Sequence, residues 1–197
     1  MNDNKSKAPA TSEQFDKVYR SPIAPWIWSD IRIPEELSDL VKIYNPKTSL
    51  ELGCGLGRFS KFMAKQGVQA TGVDFSSVAI ENAKKAIARD GLKPTFMVGD
   101  VTNLEAITQQ FDVSYDIGCF HCLNEEGQQK YVTEVYRLLK PEGLHLIWAL
   151  DTAPSDMKLT PGYMAKTFEH GFQLVGSSFS RRRIIASHWY WLIRVTK

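Results

Sequence analysis

The chain has 197 residues, 43% of them hydrophobic, which is enough for one domain with a sizeable core and leaves little room for a second. Its formal net charge is +2 and the basic residues are spread along the sequence, which gives no electrostatic case for nucleic acid or a membrane surface as partner. No apolar run reaches the length of a membrane span, the polar start "MNDNKSKAPATSEQ" lacks a signal-peptide core, and three cysteines suit reduced thiols, so the expected setting is cytoplasmic.

Residues 1–14 read as a mobile tail and 15–197 as a single domain. Along that domain apolar and amphipathic runs alternate, with breakers between them. A strand over 48–52 (TSLEL) runs through "GCGLG" into a helix over 57–66. A strand over 69–74 (QATGVD) is followed by a helix over 76–90 with Ser76 as cap, and a strand over 95–98 (TFMV) by a weak helical pattern near 102–109. The strand 111–117 (FDVSYDI) leads to a helix over 125–139, and the strand 143–150 (GLHLIWAL) to a helix over 161–170 that opens on Pro161. Two longer strands, 172–180 and 184–195, close the chain. Only Arg181, Arg182 and Arg183 separate them, too few residues for a helical crossover, so the last strand is expected to enter antiparallel. The pattern predicts an α/β fold: a seven-stranded, mostly parallel sheet with helices on both faces.

The chemistry-bearing residues follow the ends of successive strands. In "LELGCGLG", Gly53, Gly55 and Gly57 close the first strand at the carboxyl edge, where open α/β sheets bind ligands. The spacing is G-x-G-x-G, not the G-x-G-x-x-G of a dinucleotide loop, and Glu51 stands two positions before it. A carboxylate there repels a pyrophosphate and suits a ligand carrying an ammonium group, which disfavours a nicotinamide oxidoreductase. Cys54, among the glycines, fills space where a larger side chain would clash. Asp74 ends the second strand beside Phe75, at the interval where an acid accepts both ribose hydroxyls; Asp100 and Val101 follow the third, placed to meet the exocyclic amine and ring of adenine. Asp74 and Asp100 also have a plain reading as turn or cap residues. The fourth strand ends in "YDIGCFHCLN", with Asp116 at its tip and His121 in the loop beyond.

Together these motifs resemble those of class I S-adenosylmethionine-dependent methyltransferases over residues 14–197: "LELGCGLG", "GVDFSS", "GDVTNL", "FDVSYDIGCFHCL" and "VYRLLKPEGLHLIW". The N-terminal "FDKVYRSPIAPWIWSDIRIPEEL" is similar to the entry segment of the thiopurine and thiol methyltransferase-like group. The resemblance implies a Rossmann-like fold, S-adenosyl-L-methionine as cofactor, and a short helical lid over residues 15–45 in which Trp26 covers the cofactor. It implies cofactor contacts from Glu51, Gly53, Cys54, Gly55, Gly57, Asp74, Phe75, Asp100, Val101 and Asp116. One departure stands out, since Ile117 occupies the place where that group often carries an arginine.

Methyl transfer from a sulfonium is an in-line displacement, so positioning and a dry pocket should supply much of the rate. His121 is the candidate general base, and Asp116 a candidate for orienting the site. His145, His170 and His188 receive no chemical role. "CFHC" makes a poor metal site, and no metal is expected. The expected acceptor is a small molecule bearing a thiol or other soft nucleophile, with an oxygen or nitrogen acceptor as the alternative and a non-catalytic cofactor-binding module as the alternative of another class. A monomer or homodimer is expected.

Overall fold

The computed structural model describes residues 11–21, 32–88, 90–154, 156–180 and 186–196. Seven strands form one sheet: β1 (Thr48–Leu52), β2 (Gln69–Asp74), β3 (Thr95–Val98), β4 (Phe111–Ile117), β5 (Leu139–Leu150), β6 (Phe172–Ser180) and β7 (Ser187–Arg194). Their order is β3-β2-β1-β4-β5-β7-β6. The first five pair in parallel, and β7 runs antiparallel to both β5 and β6. The mostly parallel sheet with a reversed last strand is therefore as the sequence predicts.

Six helices accompany the sheet among the described residues: α1 (Ser12–Arg20), α2 (Glu35–Tyr44), α3 (Arg58–Lys65), α4 (Ser77–Ile87), α5 (Glu125–Leu138) and α6 (Pro161–Phe168). Their starts are written locally. Ser76, Asn124 and Thr160 each accept a backbone N–H from the first turn that follows, satisfying donors that a helix leaves unpaired. Thr11 and Gln14 form a reciprocal capping box that starts α1 at Ser12, inside the stretch expected to be tail. Alternation along β5 splits the core in two. Leu144, Leu146 and Trp148 pack on one face with Leu37 and Leu40 of α2 and Met63 of α3; Ile147 and Ala149 pack on the other with Val135 of α5 and Phe168 of α6.

Three elements differ from the sequence reading. Residues 102–109 form turns, not a helix, because their backbone groups bond elsewhere. Thr102 donates its N–H and hydroxyl to Asp100, Leu104 donates to Glu134, and Arg137 takes the carbonyls of Leu104 and Ile107. Helix α2 falls within the 15–45 segment expected as a short helical lid, but the sequence reading assigns it no bounds, although Pro34, Glu35 and Glu36 at its start and Lys42 in its last turn are ordinary helix signals. Strand β5 starts at Leu139, before "KPEG", and a register shift opposite Phe111 and Val113 absorbs the proline. The arginine turn at 181–183 lies outside the described residues.

At the amino edge of the sheet, Asp112 ties three elements together. It accepts the N–H groups of Lys47 and Thr48 at 2.7 and 2.8 Å, the Thr48 hydroxyl at 3.1 Å, and Lys140 Nζ at 2.6 Å. These donors outweigh partial burial and hold its carboxyl down at about 2.

Candidate active site

The glycine motif turns the chain from β1 into α3 with three left-handed residues in five: Gly53, Gly55 and Gly57 have φ of 71°, 50° and 70°. That backbone alone selects glycine. Space selects it too, through the chain's own packing. A Cβ on Gly57 would lie 2.3 Å from Phe96 Cζ and 3.0 Å from Ala83 Cβ, and one on Gly53 would lie 2.5 Å from Cys119 Cβ. The loop is thus locked onto β3, α4 and the loop after β4 by the chain's own side chains. Cys54 lies beneath it, buried against Ile80, Ala83 and Phe96.

Two carboxylates sit under this loop. Glu51 is 2% exposed, and its Oε2 accepts the N–H of Ser60 at 2.7 Å, the Ser60 hydroxyl, and the Tyr115 hydroxyl at 3.4 Å. All three bonds fall on Oε2, which leaves Oε1 without a hydrogen bond among the described residues. Burial pushes its carboxyl up to about 8 against these donors. Asp74 accepts the N–H of Gly55 at 2.7 Å and of Ser76 at 2.9 Å, and burial raises its carboxyl as well. No cationic side chain among the described residues pairs with either acid. Two buried acceptors with no cation fit a ligand that brings hydroxyl donors and positive charge.

Helix α1 covers this corner. Asp16 accepts the hydroxyls of Ser76 and Ser77 and the N–H of Val78, so it caps α4 from another element. Phe15 meets Phe75 edge-on at 6.1 Å, and the Tyr19 hydroxyl lies 2.8 Å from where a Gly55 Cβ would be. Burial and the neighbouring Asp74 raise the Tyr19 phenol. Tyr19 and Asp16 were missed in the sequence reading, although "FDKVY" places the phenylalanine, acid and tyrosine at helical spacing on one face. Trp26, the expected cover, lies outside the described residues.

Asp100 is exposed and its Oδ1 binds Thr102, a turn role that leaves the residue at the mouth of the cleft beyond β3; Val101 beside it is 6% exposed. Asp116 is fully buried and organises the loop after β4. It accepts the N–H groups of Cys119 and Phe120 at 2.7 and 2.8 Å and the hydroxyl of Tyr131 at 2.9 Å. Behind Tyr131, His145 Nε2 lies 3.1 Å from the phenol oxygen and Nδ1 lies 2.8 Å from the Ser114 hydroxyl. With Tyr131 donating to Asp116, the His145 proton belongs on Nε2, and burial holds this ring neutral at about 3. Burial pushes the Asp116 carboxyl up to about 6, so the network keeps it short of the fully neutral state.

His121 is 7% exposed, its ring set edge-on against Trp148, and its Nδ1 accepts the N–H of Leu150 at 3.4 Å. That bond places the neutral ring's proton on Nε2. The loop therefore brings His121 and Asp116 to the tip of β4 and Cys119 against Gly53, joining the expected cofactor corner to the β4–β5 edge. Among the described residues no group of three or more His, Cys, Asp or Glu is placed to hold a metal ion.

Residues 50–143 match the methyltransferase domain family. That stretch runs from β1 to β5 and holds Glu51, Asp74, Asp100 and Asp116. The chain is 29% identical over 134 residues to EEF1A lysine methyltransferase 2 of Danio rerio, covering 64% of this chain and 54% of that protein. It is 31% identical over 124 residues to cyclopropane-fatty-acyl-phospholipid synthase of Escherichia coli, covering 62% of this chain and 31% of that one. The chain thus spans about half or less of the length of these curated relatives. A structure described under the conversion of a disulfide bond into a thioacetal group during echinomycin biosynthesis superposes with a TM-score of 0.77 at 21% identity, over 93% of this chain and 91% of the other. It shows that the fold is shared. No helix among the described residues is long and apolar enough to cross a membrane.

Proposed function

We propose that this chain is an S-adenosylmethionine-dependent methyltransferase acting on a small acceptor. The observation that carries the reading is the pair of buried, cation-free carboxylates beneath a left-handed glycine loop, inside the segment that matches a methyltransferase domain. In this reading Glu51 Oε1 receives the ammonium group, Asp74 the ribose hydroxyls, and Asp100 with the Val101 N–H the adenine. Phe75, 36% exposed at the edge of the cleft, offers an apolar surface to the base. When bound, the cofactor supplies an electrophilic methyl group on a sulfonium. Tyr19 and the α1 helix exclude water from it, and the Asp116 network holds the loop that carries Cys119 and His121 against it.

In this reading Trp148 and His121, packed edge-on and only 5% and 7% exposed, stand beside the acceptor. Charge is lost as an anionic nucleophile meets a sulfonium, so such buried surroundings favour the reaction. A thiol or other soft nucleophile is the first choice on that ground. A second reading, an amine acceptor, rests on the lysine methyltransferase named among the relatives. The test is a panel of thiols, phenols, carboxylates, amines and a lysine peptide with purified protein, scored by S-adenosylhomocysteine released above a no-acceptor blank. Turnover with thiols supports the soft-acceptor reading. Turnover with a phenol, carboxylate or lysine alone rejects it, and no binding of S-adenosylmethionine rejects the methyltransferase reading itself.

A further inference from the structure

The carboxyl edge carries a second histidine, well away from the glycine loop. Because β7 is antiparallel to β5, its start lies at that edge, with Ser187 opposite Leu150 and His188 opposite Ala149. There His188 Nδ1 donates to Asp151 Oδ1 at 2.6 Å. The imidazole stacks on Tyr190 at 5.8 Å and meets Phe179 edge-on at 5.3 Å, so the ring cannot turn away without losing both aromatic contacts. Asp151 is fixed through its backbone: its N–H donates to Ala186 O and its carbonyl accepts from Leu159 N, each at 3.0 Å, while Leu159 O accepts the Tyr190 hydroxyl. The two side chains are 21% and 32% exposed, and His188 Nε2 has no hydrogen-bond partner among the described residues.

We propose that His188 and Asp151 form a dyad that meets the methyl acceptor and takes its proton; this rests on the reading of the chain as a methyltransferase. Three features separate this histidine from His121. The carboxylate at Nδ1 fixes the proton there and leaves the Nε2 lone pair as base, whereas the bond from Leu150 uses the Nδ1 lone pair of His121. His188 is partly open, whereas His121 is 7% exposed. Phe179, 55% exposed, gives an apolar surface beside the dyad for the acceptor to lie on. β4 and β7 are two strand spacings apart at the same edge, roughly 10 Å between backbones at about 4.8 Å each, so the thiol has to sit between the methyl and the His188 side chain, within hydrogen-bond reach of Nε2 directly or through one water.

The step balances for a thiol. Its S–H bond breaks with the proton passing to His188 Nε2, its sulfur lone pair forms the bond to the methyl carbon, and the methyl–sulfonium bond breaks with its pair on the departing sulfur. Asp151 meets the charge of the imidazolium. An ordinary thiol, with a pKa of about 8.5, is only about 3% ionised at pH 7, so a base in place is worth up to ~30-fold on that term.

Two measurements test the dyad. The first needs no acceptor: imidazole nitrogen–proton correlation spectra of the free wild-type protein, with His188 assigned by its absence in His188→Gln. The neutral His188 ring is expected as the Nδ1–H tautomer; an Nε2–H tautomer overturns the proposal whatever the acceptor is. The second compares 2-mercaptoethanol, protonated at neutral pH, with thiophenol, which ionises far more readily. In His188→Gln the loss of kcat with 2-mercaptoethanol should exceed the loss with thiophenol at least tenfold, with Asp151→Asn intermediate and S-adenosylmethionine affinity within twofold of wild type. Equal losses with the two thiols reject the base role. If wild type binds S-adenosylmethionine but turns over no thiol, the soft-acceptor reading fails while the tautomer still decides the dyad.

Discussion

The two edges of the sheet treat the same kind of side chain in opposite ways. At the amino edge Asp112 faces Lys140, two backbone N–H groups and a hydroxyl, and its carboxyl is held down at about 2. At the carboxyl edge Glu51 and Asp74 face hydroxyls and N–H groups but, among the described residues, no cation, and burial raises both, Glu51 to about 8. Asp112 is paired within the chain, where its charge is stabilised before anything binds. Glu51 and Asp74, buried without a cationic partner among the described residues, favour the state that a cationic ligand completes.

The largest effect is expected at Gly57, a carboxyl-edge residue that the packing assigns to the fold. Gly57→Ala should destabilise by about 3 kcal/mol and lower Tm by about 9 °C, since φ is 70° and the new methyl would meet Phe96 at 2.3 Å. Thermal unfolding checks it, and a shift below about 2 °C would mean the loop yields easily. Next comes Asp74→Ala, expected to weaken S-adenosylmethionine binding about 100-fold by calorimetry, through loss of the ligand's acceptor and of the Gly55 contact. Unchanged affinity would return Asp74 to a turn role alone.

Asp112→Asn should act at the amino edge. It removes about 1–2 kcal/mol of stability at pH 7, lowering Tm by about 4 °C, and leaves cofactor affinity alone. The sign follows from the depressed carboxyl: this stability is present above about pH 4, the unfolded value, and fades as pH falls toward about 2, so wild type and variant should converge in acid. An equal gap at pH 3 and pH 7 would contradict it. Smallest is Asp16→Ala, which removes the acceptor that α1 lends to the start of α4. Cofactor affinity should fall about threefold with little change in Tm, and a faster off-rate in stopped flow is the check.

Much of this was written in local sequence. The seven strands and the reversed last one follow from apolar runs and from the short 181–183 connection, and Glu51, Asp74 and Asp116 follow from their places at strand ends. What escaped depends on partners far along the chain. Residues 102–109 have a helical pattern, but Glu134 and Arg137 of α5 take the backbone groups a helix would need. The glycines were legible as a loop, yet not as a loop packed against Phe96 and Cys119, residues more than thirty positions away. His188 gave no signal, because Asp151 reaches it only through the β5–β7 pairing.

The central claim, that Glu51 waits for a positive charge, has a direct measurement. S-Adenosylmethionine is titrated calorimetrically at pH 7 in two buffers of different ionisation heat. Glu51, raised to about 8, is mostly protonated before binding, and an ammonium beside it drives ionisation, so binding should release close to one proton to the buffer. 5′-Methylthioadenosine, which lacks the amino-acid portion, should release almost none. A binding heat for S-adenosylmethionine that is the same in both buffers would contradict the account.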